Sequence, residues 1–184
     1  MRWKALFDDL EGEFAAAERV ELDAEVRDRT RRETALVRTV DRLRAAAGQQ
    51  LTVTVSGAGA THGALLETGG DWLLLGEPAG REILVPLAGV LGVVGLGRRT
   101  EVPGSEGEVE RRLDLRWALR GLARSRAGVQ VVLVDGSVVA GTLDRVGADH
   151  VEVAEHPPGE PRRAGQVRQV RLVPVPAIAL VRQV

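Results

Sequence analysis

Three histidines, His62, His150 and His156, are the side chains best suited to move protons or ligate metal near neutral pH. They are scattered, and none has a partner at metal-ligand spacing. Cysteine is absent, which excludes disulfides, thiolate nucleophiles and cysteine-bound zinc or iron–sulfur clusters. Glu13, Glu18 and Glu21 read as a solvated helix face. The run at residues 92–97 (GVVGLG) has the glycines of a phosphate loop but lacks the Lys-Ser/Thr pair, and no βαβ helix follows it. No catalytic, metal or cofactor set emerges, so the expectation is a non-enzymatic protein.

The remaining polar signals concern binding. Asp71-Trp72 and Asp149-His150 form a repeated polar–aromatic pair. As a nucleic-acid surface, Trp72 and His150 would offer flat faces on which bases stack, at ~1–3 kcal/mol each. As plain structure, each aspartate would cap a turn through its own backbone and Trp72 would cover the end of a core. Residues 109–126 carry six arginines against two acids, among them Arg111, Arg112, Arg116 and Arg120, the natural candidates for phosphate contacts. Near the start, Trp3, Leu6, Phe7, Leu10 and Phe14 recur at helical spacing and form an apolar stripe. That stripe suits either docking to a partner or packing within the chain.

Charge and composition narrow the field. Net charge is −1 over 184 residues, so no global field draws the chain to nucleic acid or a membrane. Lys4 is the single lysine and asparagine is absent, while Ala, Gly, Val and Arg abound. That usage fits a GC-rich genome, as in actinobacteria, and lowers the weight of any one arginine cluster. The charged start, with Asp8, Asp9, Glu11 and Glu13, leaves no apolar leader, and the longest apolar run, residues 83–96, is too short to span a bilayer. A cytoplasmic protein is expected. Acids outnumber bases over residues 1–25 and bases outnumber acids over 26–47, so two helices folded back on each other would attract.

The elements that would position these residues come in two copies. Residues 51–75 match residues 129–153 at a constant offset of 78: Gly63 with Gly141, Leu65 with Leu143, Gly69 with Gly147, Asp71 with Asp149. The Val-Pro stretch at Val85 recurs at Val173, an offset of 88, so the second copy carries ten extra residues in a Pro-, Gly- and Arg-rich loop. Helical patterns (Leu36, Val40, Leu43; Leu115, Leu119, Leu122) precede each copy and are expected to stop at Gly48 and Gly128. Asp135-Gly136 between apolar runs predicts a hairpin, and the in-strand glycines Gly63 and Gly141 predict sharp bends.

The pattern Val131, Leu133, Gly136, Gly141, Leu143, Val146, with Val53, Val55, Gly63 and Leu65 in the first copy, resembles the Sm/LSm/Hfq superfamily of SH3-like small β-barrels. The resemblance implies a mostly β, α+β protein: a helical arm at 1–47, a first barrel at 48–97, a linker at 98–108, and a helix plus second barrel at 109–184. Residues that read RNA in that family are not matched, because asparagine is missing and Val-Pro stands in the second motif. The leading expectation is therefore a binding and assembly module acting through protein–protein contact or self-association, with a trimer of chains presenting six units. The alternative is a regulator that binds single-stranded RNA. No small-molecule substrate and no membrane partner are indicated.

Overall fold

The computed structural model describes residues 2–78, 80–105, 107, 113–158, 165 and 167–184, with side chains from residue 18 onward. The chain divides into two units, residues 1–37 and 38–184. The first is one helix, α1 (Arg2–Leu36). Its acidic and basic stretches lie along a single rod and do not form a folded-back pair. Side-chain pairs one turn apart run along it: Arg29 with Glu33 at 3.0 Å and Arg31 with Asp28 at 3.4 Å. The stripe Trp3, Leu6, Phe7, Leu10 and Phe14 belongs to this helix, but its side chains lie outside the described residues.

The second unit opens with a short helix, α2 (Thr39–Arg44). Asp41 is fully buried there and accepts from the Arg38 backbone N–H at 2.9 Å and from its guanidinium at 3.0 and 3.2 Å. These bonds hold the Asp41 carboxyl below the ordinary carboxylate range, the Arg38 side chain contributing most. Five strands follow: β1 (Gln50–Val55), β2 (Gly59–Thr68), β3 (Trp72–Gly76), β4 (Glu82–Pro86) and β5 (Val90–Val94). Helix α3 (Leu115–Ser125) leads into β6 (Gly128–Leu133), β7 (Val138–Val146), β8 (His150–Glu155), β9 (Gln169–Pro174) and β10 (Ile178–Gln183). Asp114 caps α3 by accepting from the Trp117 backbone N–H at 2.8 Å. The predicted Asp135-Gly136 turn closes the β6–β7 hairpin, with Asp135 accepting from both the backbone and hydroxyl of Ser137.

Two separate closed barrels do not form. The ten strands make one open antiparallel sheet in the order β5-β1-β2-β3-β4-β10-β6-β7-β8-β9. The physical reason lies in β4 and β10. Ile83, Leu84 and Val85 are apolar at successive positions, as are Ile178 through Val181, so each strand has two faces to bury. One half of the chain cannot cover both faces. Pairing β4 with β10 (Leu84 opposite Val181, Ile83 opposite Arg182) continues the sheet and lets both strands serve two cores. The first core gathers Leu43, Ala46, Leu51, Val53, Leu65, Leu73, Leu75, Ile83 and Val85, completed by Ala179 and Leu180 of β10. The second gathers Leu119, Val129, Val131, Leu143, Val151, Ile178 and Val181, completed by Trp72 and Leu84 from the first half.

Pairing registers in the halves coincide at the offsets read from sequence. Leu51 faces Gly63 and Val129 faces Gly141. Irregular register falls at Leu65/Glu67 and again at Leu143/Arg145. Trp72 faces Pro86 and His150 faces Pro174. At Gly141 an added Cβ would lie 2.0 Å from the Ala154 carbonyl oxygen, and at Gly63 2.6 Å from that of Gly76, so both glycines permit a close approach of neighbouring backbones.

Candidate functional site

The positions singled out for chemistry are mostly spent on structure. Trp72 is 2% exposed, and its indole N–H donates to the Leu113 carbonyl at 2.9 Å. At that exposure it offers no open face on which a base could stack. Asp71 accepts from the Leu115 backbone N–H at 2.7 Å, fixing the start of α3 against the β2–β3 turn. Arg116 donates to Asp114 at 2.8 and 2.9 Å and to the Ala148 carbonyl at 3.0 Å, which ties α3 to the β7–β8 turn. Arg111 and Arg112 lie outside the described residues.

Asp149 is exposed and bonds the His150 ring at 2.8 Å, an interaction that lowers the Asp149 pKa. The His150 ring lies over Gly147, as the Trp72 ring lies over Gly69. His156 is buried. Its Nδ1 lies 3.0 Å from the Pro157 carbonyl oxygen, which can only accept, so Nδ1 carries a proton and Nε2 faces the Thr142 hydroxyl at 2.8 Å. His62 bonds the Thr52 hydroxyl across β1–β2. No group of three or more His, Asp or Glu residues is placed to hold a metal among the described residues.

Two features remain exposed and unspent. The first is the pair of sheet ends. Among the described residues no strand pairs with the outer edge of β5 or of β9. Both carry apolar side chains facing solvent: Leu91 and Val94 on β5, Val170 and Leu172 on β9. The internal repeat makes β9 the counterpart of β4, and β5 the counterpart of β10. Leu84, held in the internal joint, is 4% exposed; its counterpart Leu172, at the free edge, is 58% exposed.

The second is a cleft of about 690 Å³ between α3 and the end of β7, lined by Trp117, Arg120, Arg124, Arg126, Asp144 and Arg145, with apolar floor residues including Leu143 and Val146. Of the two described arginines proposed from sequence, Arg116 and Arg120, it is Arg120 that lines it. Trp117 and Arg124 were legible as the outward face of α3, opposite Leu115, Leu119 and Leu122; Arg126 follows the last turn of α3 as its left-handed cap. Arg145 had no sequence signal, because the register shift beside it aims its side chain. A smaller apolar groove lies on the other side of Trp117, floored by Trp72, Leu84 and Leu122.

No helix among the described residues is long and apolar enough to cross a membrane. No protein-family model matches the chain, and no curated protein matches it.

Proposed function

We propose that the protein is a non-catalytic assembly module that joins copies of itself head to tail, with β9 of one chain pairing with β5 of the next. The observation that carries this reading is the β4–β10 joint, an antiparallel strand junction between the two homologous halves. Carried over by the repeat offset of 88, that joint gives a definite register between chains: Leu172 opposite Val93 and Arg171 opposite Val94. Such an edge-to-edge contact satisfies the unpaired backbone groups of both edges and buries Leu172 and Val94, each worth roughly 1–2 kcal/mol. The two edges differ, so the contact is heterologous and builds a ring or a filament rather than a two-fold dimer. Kinship with the Sm/LSm/Hfq superfamily is part of this reading, supported by the matched glycine approaches in the two halves. A cytoplasmic setting is part of the same reading.

The absence of native cysteine makes the test clean. A Val93→Cys/Leu172→Cys variant is expected to oxidise into covalent multimers in preference to the off-register pair Gly92→Cys/Val170→Cys, as read on non-reducing gels. Light scattering is expected to give a mass above one chain, and to keep doing so after removal of residues 1–20. A monomer at all concentrations would sink the proposal, and loss of association on removing residues 1–20 would move it to the apolar stripe of α1.

A further inference from the structure

We propose that the apolar groove under α3 binds an aliphatic diamine, a slender methylene chain with an ammonium group at each end. Shape carries the first part of the argument. Strand pairing sets Leu74 beside Leu84 and Leu84 beside Val181, an apolar floor laid across β3, β4 and β10. Helix α3 roofs it with Trp117, Ala118 and Gly121, and the volume is about 220 Å³. That is below the size of a drug-like pocket and suits a narrow chain. Gly121 keeps the groove open. It stands inside α3, where glycine is among the least favourable residues. No crowding demands it, because a Cβ built there meets nothing within 4 Å. A larger side chain at that position would enter the groove instead.

Charge carries the second part. Two carboxylates, Glu67 and Glu82, line the groove, and no cation does. Both are exposed, and neither side chain has a hydrogen-bond or ion-pair partner among the described residues. The arginines next to the lining strand residues, Arg81 and Arg182, both pair with Glu77, at 3.1 and 3.6 Å. Those of the larger cleft lie across Trp117. The repeat does not impose the two acids, since Arg145 and Val170 stand at the matched positions.

Spacing names the ligand. Glu67 lies on β2 opposite Leu74, and Glu82 lies two residues from Leu84 on β4. Two strand spacings across the sheet and two residues along it put their Cα atoms roughly 12 Å apart. An extended chain of about five methylenes, with an ammonium hydrogen-bonded to a carboxylate at each end, covers that span. Its methylenes lie on the apolar floor, as a lysine stem lies on an apolar surface. The indole of Trp117, 43% exposed, adds cation–π attraction. None of the lining residues lies on β5 or β9, so the site is independent of assembly through those edges.

The test uses the full chain and isothermal titration calorimetry with cadaverine, n-pentylamine and magnesium chloride. Cadaverine is expected to bind saturably, about fivefold more tightly than n-pentylamine, which has the same carbon chain and a single charge. Glu67→Gln and Glu82→Gln are each expected to weaken cadaverine by about fivefold, to the level of n-pentylamine. Gly121→Leu fills the groove and is expected to abolish binding while keeping the parent's circular dichroism. Gly121→Ala is the milder plug should leucine overpack α3; it is expected to weaken binding while raising the thermal midpoint. The proposal is overturned if cadaverine does not bind, if n-pentylamine or magnesium binds as tightly, or if the folded Gly121 variants bind as the parent does.

Discussion

Alanine at Gly141 would press its Cβ to 2.0 Å from a backbone oxygen of β8, and no side-chain rotation relieves that contact. Gly141→Ala is expected to lower stability by about 2–4 kcal/mol, and Gly63→Ala, with its 2.6 Å contact, by less, as measured by urea denaturation. Both glycines were legible in the sequence as a repeated in-strand pair, because only a close backbone approach makes glycine useful there. Arg126→Gly should go the other way, raising stability by up to ~1 kcal/mol as left-handed strain is released. That position was also within reach of the repeat, three residues before the matched segment, but Gly128 masked it by looking like the helix stop. Asp41 offers a pH test. Its folded pKa is depressed, so its contribution is fully present above the unfolded carboxyl range and fades as pH falls through the lowered value. Asp41→Asn should cost about 1–3 kcal/mol at neutral pH, and the difference from the parent should shrink in acid.

At the scale of elements, the deciding fact is that β4 and β10 each have two apolar faces. Runs such as Ile83-Leu84-Val85 announce burial on both sides but not by what, so the sequence leaves the β4–β10 joint unspecified. An isolated closed barrel would have left one face of each strand in water. The same ambiguity holds at β5 and β9, whose outward apolar side chains now face solvent. Leu172→Lys or Val94→Lys places a charge where the neighbouring strand would pack, and strands with such charges resist edge pairing. Each single variant is expected to reduce the light-scattering mass to that of one chain while leaving the thermal midpoint within a few degrees. The α3 arginines illustrate the opposite limit: their number was legible, but which ones serve the fold was not. Arg116 is tied to Asp114 and Ala148, whereas Arg120 and Arg124 are left to the cleft.

For the molecule as a whole, shared strands mean shared stability. Leu180 and Ala179 fill the first core, while Trp72 and Leu84 fill the second. Neither half can lose its packing without opening the other, so residues 38–184 should unfold in a single calorimetric transition, with matching van't Hoff and calorimetric enthalpies. Two resolved transitions would contradict the joint. The duplication was readable over residues 51–75 and the Val85 stretch, with their counterparts at 129–153 and Val173, because matched glycines and apolar positions survive in each half. The union of the halves was not, since strand exchange between repeats leaves no periodicity of its own.

The order in which β10 is made has a consequence for synthesis. Residues 38–97 leave the ribosome long before residues 178–183, yet their core stays open on one side until that late strand arrives to flank β4. The nascent first half must therefore wait with an apolar edge uncovered through the making of some eighty further residues. During that interval, a β10 strand from another copy fits the vacancy as well as its own does. Crowded polysomes would thus favour exchange of this strand between chains, and slow, dilute expression would favour the self-contained fold.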